Sequence, residues 1–160
     1  MDAVTWRARP AGLAAAVMVL AACQASDTSP RSGSSPADSS PQVVSSSGVV
    51  VPIVPLMGHS DVAKTYHVKG LNDRGCVIGH VDGPSGKPFK GVFVGNAGTK
   101  VTGDRGNFTI TFAKGKVARK GATFTGGGYA LSRGDNSESE TAVMDAVHET
   151  CGEDSVIAVE

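Results

Sequence analysis

The sequence predicts an all-β fold, a single β-sandwich of about seven strands, preceded by a signal peptide and an unfolded linker. After Gly75, short apolar segments recur at intervals of about 8 to 12 residues, separated by glycine-rich turns. No window shows the 3.6-residue apolar period of an amphipathic helix. The roughly 86 residues from Gly75 onward are enough to form one small hydrophobic core.

The strongest strand pattern begins at Phe108. Phe108, Ile110 and Phe112 alternate with Thr109 and Thr111, and such alternation places apolar side chains on one face of a strand and polar side chains on the other. Further strands are predicted at residues 77–82, 92–94, 122–125, 129–132, 142–147 and 156–159.

The first 22 residues have the layout of an export signal. Arg7 and Arg9 precede an uncharged run of small and apolar residues, 11–22. A membrane-spanning helix needs about 20 apolar residues, and this run is shorter. We therefore expect residues 1–22 to be a signal peptide that is removed on export.

The end of this run, Leu20-Ala21-Ala22-Cys23, resembles the lipobox of bacterial lipoproteins in all four positions. The resemblance implies lipidation of Cys23 and cleavage before it; two or more acyl chains anchor a protein stably. An ordinary secretory cleavage site beside a chance cysteine is the alternative. Gln24 is not the aspartate associated with inner-membrane retention, so the outer membrane is favoured if the cell has two. The expected location is the cell envelope, outside the cytoplasm.

Two segments are predicted between the signal and the sandwich. Residues 23–48 are rich in serine and proline and cannot bury enough surface to fold, so they form a tether with a reach of about 25 to 30 Å. Residues 49–74 are expected to be extended. Pro52 and Pro55 exclude a central strand there, which leaves an edge strand or an added strand on a partner's sheet.

The charge balance gives no sign of a nucleic-acid partner. Beyond residue 22 the chain has 13 basic and 14 acidic side chains. Their distribution is uneven, since residues 87–133 hold nine basic side chains and one acidic one, whereas residues 134–160 hold eight acidic and no basic ones. This asymmetry indicates either a binding face or neighbouring strands that neutralise one another, and we favour neutralisation.

The cysteines predict one disulfide. With Cys23 assigned to lipid, Cys76 and Cys151 remain as a pair in an oxidising compartment. A bridge that closes a loop of about 75 residues lowers the conformational entropy of the unfolded chain, which raises the free energy of unfolding by roughly 4 kcal/mol. Metal binding is the weaker interpretation, because neither cysteine has a second ligand at Cys-x-x-Cys spacing.

Several short segments between residues 79 and 129 form a recognisable pattern. They are Gly79-His80-Val81-Asp82, Gly86-Lys87-Pro88-Phe89, Gly91-Val92-Phe93-Val94, Thr102-Gly103-Asp104-Arg105-Gly106-Asn107-Phe108 and Gly128-Tyr129. Together they resemble the carboxypeptidase regulatory-like domain, a transthyretin-like, seven-stranded β-sandwich. The resemblance covers about residues 76–131, continues weakly to residue 160, and implies a non-enzymatic accessory or surface module spanning residues 75–160.

The residues of this pattern that are predicted to shape turns are structural. Gly86 and Pro88 are expected to form the turn before one strand, since proline fixes φ. Asp104 is expected to accept hydrogen bonds from its own turn, and Gly106 to adopt a positive φ. Phe108 then enters the core at the start of the next strand.

No catalytic residue, cofactor or metal site is predicted from the remaining chemistry. The histidines lie at positions without the short spacing of a zinc motif: His59, His67, His80 and His148. His59 and His67 are expected in an irregular region, and His80 to point outward from its strand. Glu138 and Glu140 are expected in a solvated polar loop.

The sequence thus predicts a lipid-anchored envelope protein whose sandwich is a non-catalytic structural or binding module, with a membrane and an envelope protein or glycan as partners. The alternative is a hydrolase or metal-dependent enzyme built on His80, His148 and nearby acids. Arg133-Gly134-Asp135 spells an integrin-binding tripeptide, which in an exported bacterial protein is better interpreted as a chance match.

Overall fold

The computed structural model of the protein describes residues 42–55 and 62–160. The predictions for the signal peptide, Cys23 and His59 lie outside these residues. The elements in chain order are β1 (Gln42–Ser46), β2 (Val49–Ile53), β3 (Lys64–Leu71), β4 (Val77–Asp82), β5 (Pro88–Val94), β6 (Lys100–Gly103), β7 (Phe108–Thr111), β8 (Val117–Arg119), β9 (Thr123–Gly126), β10 (Gly128–Ser132), α1 (Glu138–Cys151) and β11 (Ser155–Val159).

The strands of the described ranges form three sheets, which confirms the predicted all-β sandwich. The largest has six strands in the order β10-β11-β5-β4-β3-β9. Its neighbours are antiparallel except for β5 and β11, which are parallel. The other two sheets are the antiparallel sets β6-β7-β8 and β1-β2.

The main core lies between the inner face of the six-stranded sheet and the two smaller sheets. It buries residues from both sides: Val49, Val51, Tyr66, Val68, Val77, Val81, Phe93, Val101, Phe108, Ile110, Phe112, Ala118, Ile157 and Val159. Gly79 lies on the same face of β4 as Val77 and Val81. A Cβ atom at Gly79 would clash with the carbonyl oxygen of His67 and the ring of Phe93, so only glycine permits this close packing of β3, β4 and β5.

Residues 42–48 do not belong to an unfolded tether, contrary to the sequence-based boundary. Gln42–Ser46 pairs with all five residues of β2, and this pairing supplies the backbone hydrogen bonds that the polar sequence alone did not predict. β2 itself contains Pro52, which keeps its carbonyl oxygen as an acceptor for the Gly95 N–H at 3.0 Å. Val49 and Val51 of this strand are fully buried.

The helix α1 was not predicted, because residues 142–147 were interpreted as a strand and Glu138 and Glu140 as part of a loop. Its apolar residues Val143, Met144, Val147 and Cys151 are the buried ones, and this spacing places them on one helical face. The start is fixed by a capping box: the Ser137 hydroxyl accepts from the Glu140 N–H, and the Glu140 carboxylate accepts from the Ser137 N–H. Gly152 ends the helix in the left-handed conformation.

α1 packs on the outer face of the six-stranded sheet and forms a second apolar cluster there. Its partners come from β5, β10 and β11: Val92, Val94, Tyr129, Leu131, Val156 and Ala158. The cluster also contains the disulfide between Cys76 and Cys151, whose Cα atoms are 5.7 Å apart. The predicted bridge is therefore confirmed, and it joins the residue before β4 to the last residue of α1.

The turn between β3 and β4 also binds the end of α1 through side chains. The Asn72 side-chain amide donates to the Cys151 carbonyl at 2.9 Å, and the Arg74 guanidinium donates to the Glu149 carbonyl at 2.8 Å. The last carbonyls of a helix have no partner within the helix, so these bonds satisfy groups that would otherwise need water. With the disulfide they form what we call the helix clamp: Asn72, Arg74, Cys76 and Cys151.

The predicted turn at Asp104 is confirmed in its main features and corrected in one. The Asp104 carboxylate accepts from the N–H groups of Gly106 at 2.8 Å and Asn107 at 2.9 Å, and Phe108 is fully buried. The positive φ is found at Gly103, with 92°, and not at Gly106. The bend therefore precedes Asp104, whose side chain then orders the rest of the turn. Gly86 has a positive φ of 74°, and Pro88 starts β5.

β3 was also missing from the sequence-based prediction, which left residues 49–74 as one extended segment. Tyr66 and Val68 point into the core, whereas Thr65, His67 and Lys69 belong to the opposite face by alternation. β3 occupies an interior position between β4 and β9. Within the described residues, no helix is long and apolar enough to cross a membrane.

Removing the disulfide should destabilise the fold. The variant Cys76→Ala/Cys151→Ala is expected to lose about 2 to 4 kcal/mol of unfolding free energy, because the unfolded chain is no longer constrained and α1 loses its covalent link. Urea unfolding followed by far-ultraviolet circular dichroism measures this loss. Cys23→Ala is the matched control, since it removes a cysteine outside the bridge. An unchanged urea midpoint in the double variant would contradict the structural role of the bridge.

Candidate functional site

The helix covers only part of the outer face of the six-stranded sheet. The sheet residues of the apolar cluster beneath it belong to β5, β10 and β11, at one side of the strand order, with Ile78 of the neighbouring β4 at its margin. Apart from Ile78, which packs with the apolar cluster, the outward positions of β3, β4 and β9 carry mostly polar side chains. We call this region the open face, defined by Thr65, His67, Lys69, His80, Asp82 and Thr123.

Two histidines meet on the open face. His67 and His80 are direct partners in the β3–β4 register, and their rings stack with centroids 4.3 Å apart and planes inclined by only 9°. Both side chains are partly exposed. The β-sheet therefore brings together two imidazoles that lie 13 positions apart in the sequence.

Asp82 and Thr123 contact opposite sides of the His67 ring. The His67 Nε2 atom lies 3.3 and 3.4 Å from the two carboxylate oxygens of Asp82. The His67 Nδ1 atom lies 3.0 Å from the Thr123 hydroxyl, which is on the register partner of His67 in β9. Both ring nitrogens of His67 thus have polar partners, and these fix the orientation of the ring.

His80 has a different environment. Its Nδ1 atom has no solvent exposure and no hydrogen-bond partner within the described structure. Burial lowers the pKa of His80, and the charges of His67, Lys69 and Lys90 lower that pKa further, whereas Asp82 raises it. Lys90 is the register partner of His80 in β5. The arrangement favours a neutral His80 imidazole.

A shallow depression lies beside the open face and has a volume of about 310 Å³. It is lined by Lys69, Ile78, Gly79, Lys90, Gly91, Glu153 and Ser155. Two lysines and one glutamate face a small apolar floor. The depression therefore lies between residues of β3, β4 and β5 and the segment that follows α1.

The structure separates the residues of the predicted enzyme alternative. His80 stacks on His67, whereas the Nδ1 atom of His148 lies 3.0 Å from the Asp154 carboxylate near the end of α1. The enzyme alternative combines His80 with His148, and the sequence alone predicts an irregular region around His67. The β3–β4 pairing instead makes His67 the partner of His80.

Arg133 of the tripeptide Arg133-Gly134-Asp135 is already engaged. Its guanidinium donates to Asp154 at 2.8 Å and to Asp145 at 3.0 Å. The bond to Asp154 and then that to Asp145 raise the pKa of Arg133. This ion pairing joins the loop after β10 to α1 and to the residue before β11, which gives Arg133 a structural role.

A second polar surface lies on the outward side of the three-stranded sheet. The inner row of that sheet is Val101, Ile110 and Ala118, all buried in the core. The two flanking rows point the other way. They form what we call the basic face: Lys100, Thr102, Thr109, Thr111, Val117 and Arg119.

The expected neutralisation of the basic residues by the acidic C-terminal part holds only locally. Arg133 pairs with Asp145 and Asp154, and Lys114 pairs with Glu160 at 3.2 Å. The salt bridges of the described residues include neither Lys100 nor Arg119. Because most of the acids belong to α1 and its flanking segments rather than to strands, they lie on the other side of the six-stranded sheet from the basic face.

Comparisons with known proteins gave no match: no family model, no curated protein and no solved structure corresponds to this chain. The resemblances to the carboxypeptidase regulatory-like domain and to the lipobox therefore rest on the motifs quoted above.

The sequence contained a signal for the histidine pair. Tyr66 and Val68 alternate with His67, which is the period of a half-buried strand. The turn residues 72–75, Asn-Asp-Arg-Gly, separate this run from β4. A hairpin around that turn brings β3 beside β4. The register shift between Val68 and Gly70, which the sequence does not reveal, then places His67 opposite His80.

The charges around His80 should be visible in its titration. His67→Ala is expected to raise the pKa of His80, because it removes a repelling group, and Asp82→Asn to lower that pKa, because it removes an attracting one. Since the folded-state pKa lies below the unfolded value of about 6.5, the unfolded chain binds more protons. The free energy of unfolding therefore decreases as the pH falls from about 6.5 through the folded-state pKa of His80.

Two-dimensional NMR of the histidine rings measures the pKa values directly. His148→Ala serves as the control, because His148 contacts Asp154 and does not belong to the open face. Equal pKa values of His80 in all variants would contradict the electrostatic coupling.

Proposed function

We propose that this protein is a lipid-anchored component of the bacterial cell envelope whose β-sandwich binds an anionic partner, a glycan or an acidic protein, without catalysing a reaction. The observation that carries the proposal is the basic face. It combines Lys100 and Arg119 with three threonines and has no acidic side chain in its strands.

The chemistry of the basic face suits such a partner. Lysine and arginine bind carboxylate, sulfate and phosphate groups, and arginine does so with two parallel hydrogen bonds. Thr102, Thr109 and Thr111 add hydroxyls that donate and accept, as the hydroxyls of a sugar require. Val117, the register partner of Thr111, is 44 % exposed and supplies an apolar contact. A rigid sheet holds all these groups in fixed positions.

The anchor is inferred from the sequence alone. Leu20-Ala21-Ala22-Cys23 implies lipidation of Cys23, and the serine-rich residues that follow imply a tether. The first described strand starts at Gln42, so the tether is shorter than the sequence-based boundary suggested. With about 18 residues its root-mean-square reach is about 21 to 25 Å, which still separates the domain from the lipid headgroups.

The sandwich supports a binding module better than the enzyme alternative. That alternative combined His80 with His148, which have different partners in the fold. The basic face and the open face are both built on regular strands, as is usual for a rigid recognition surface.

The anchor is tested by the variant Cys23→Ala in a bacterial host that processes lipoproteins. The unaltered protein is expected in the membrane fraction with a mass that begins at Cys23 and includes acyl chains, whereas the variant loses the acyl mass and leaves that fraction. Intact-mass spectrometry and fractionation provide the two readouts. Cys76→Ala/Cys151→Ala is the control, because it keeps Cys23. An unacylated wild-type protein would refute the anchor.

The binding surface is tested by charge reversal. Lys100→Glu/Arg119→Glu is expected to weaken retention on an immobilised anionic glycan by about tenfold or more, since two attractions become repulsions, and salt should reduce the retention of the wild type. The matched control is Lys69→Glu/Lys87→Glu, which changes the net charge equally on exposed positions away from the basic face. Equal retention of both double variants would contradict a role for the basic face.

A further inference from the structure

We propose that His67, His80 and Asp82 form a binding site for one divalent transition-metal ion of the zinc type on the open face. This inference does not rest on the proposed function, which concerns the opposite layer of the sandwich. Each residue offers one ligand atom, and the three atoms lie within 4.8 Å of one another.

Part of the site already has the spacing that a metal requires. Zinc binds nitrogen at about 2.0 to 2.1 Å and oxygen at about 2.0 to 2.2 Å in a tetrahedron, so its ligand atoms lie about 3.4 Å apart. The His67 Nε2 atom lies 3.3 and 3.4 Å from the two Asp82 oxygens. These two residues therefore need little movement to share an ion.

His80 must turn before it can contribute. Its ring is stacked parallel to that of His67, whereas two imidazoles that bind one ion direct their nitrogens toward a common point. The terminal torsion of histidine has a broad energy profile, and the Nδ1 atom of His80 has no hydrogen bond to lose within the described structure. Rotation of the ring therefore gives up the stacking contact with His67 but breaks no hydrogen bond of Nδ1 within the described structure.

Thr123 has the position of a supporting residue. Its hydroxyl lies 3.0 Å from the Nδ1 atom of His67, the ring nitrogen opposite the Asp82 contact. In metal sites the non-ligating nitrogen of a histidine usually donates a hydrogen bond to a neighbouring acceptor, which orients the ring. Thr123 can accept such a bond when Nε2 of His67 binds the ion.

The surroundings favour a metal ion that binds imidazole, such as zinc, rather than a hard cation such as calcium or magnesium. Lys69 and Lys90 lie near His80, so the local field does not attract cations in general. Calcium and magnesium require several oxygen ligands, and the cluster offers one carboxylate. Two imidazoles and one carboxylate suit zinc and leave a fourth position for water or a ligand from a partner.

The test uses the untagged full chain with Cys23→Ala, which removes both the anchor and a competing thiol. Isothermal titration with ZnCl₂ is expected to give one ion per chain, with no binding of MgCl₂ under the same conditions. His67→Ala and His80→Ala should each weaken zinc binding by at least about tenfold, and Thr123→Val by about tenfold with binding retained. His148→Ala is the matched control, because it removes a histidine that also contacts a carboxylate.

Histidine-ring NMR of the chain without further substitutions keeps the test independent of how the variants fold. One equivalent of zinc is expected to shift the ring signals of His67 and His80 and to leave those of His148 unchanged. The proposal is overturned if zinc does not bind at one equivalent, if His80→Ala binds as tightly as the unsubstituted site, or if the shifted signals belong to His148.

Discussion

The attachment of α1 to the six-stranded sheet determines how the surfaces of this protein are divided. The helix clamp fixes the end of α1 to the turn between β3 and β4 through the disulfide and the side chains of Asn72 and Arg74. Apolar packing then holds the rest of the helix over β5, β10 and β11. Because α1 is held on that side, β3, β4 and β9 keep an outer face that polar side chains can occupy.

This division also separates charge. Most acids of the C-terminal part lie on or beside α1, and the pairs of Asp145 and Asp154 with Arg133 stabilise the loops at that end. The basic face lies on the other side of the core, on a sheet whose strands contain no acid. Exposed charges on opposite layers are screened from one another beyond about 8 to 10 Å at physiological salt. The near-zero net charge of the chain therefore conceals two surfaces of opposite sign.

The sequence predicted those features that depend on local patterns or on simple counting. Alternation at Phe108 gave β7, cysteine counting gave the disulfide, and the Asp104 turn followed from the hydrogen bonds that aspartate makes locally. Features that depend on pairing were not predicted. The β3 strand and the His67–His80 contact required the register of the hairpin, and the strand at Gln42 required its partner β2. The helix was missed although Ser137, Glu140 and Gly152 are its start and stop signals, because the short apolar run within it also fits a strand.

The position of β11 has a consequence for how the molecule is made. This strand lies between β10 and β5 and pairs in parallel with β5, far from it in sequence. Synthesis from the amino end delivers β5 well before β11, so β5 has an unpaired edge until residues 155–159 are made. The six-stranded sheet can close only after that, and α1 with Cys151 reaches Cys76 in the same final stage. Closure of the sheet and formation of the disulfide therefore both wait for the last part of the chain, and an interrupted chain leaves an open sheet edge as a target for proteases and chaperones.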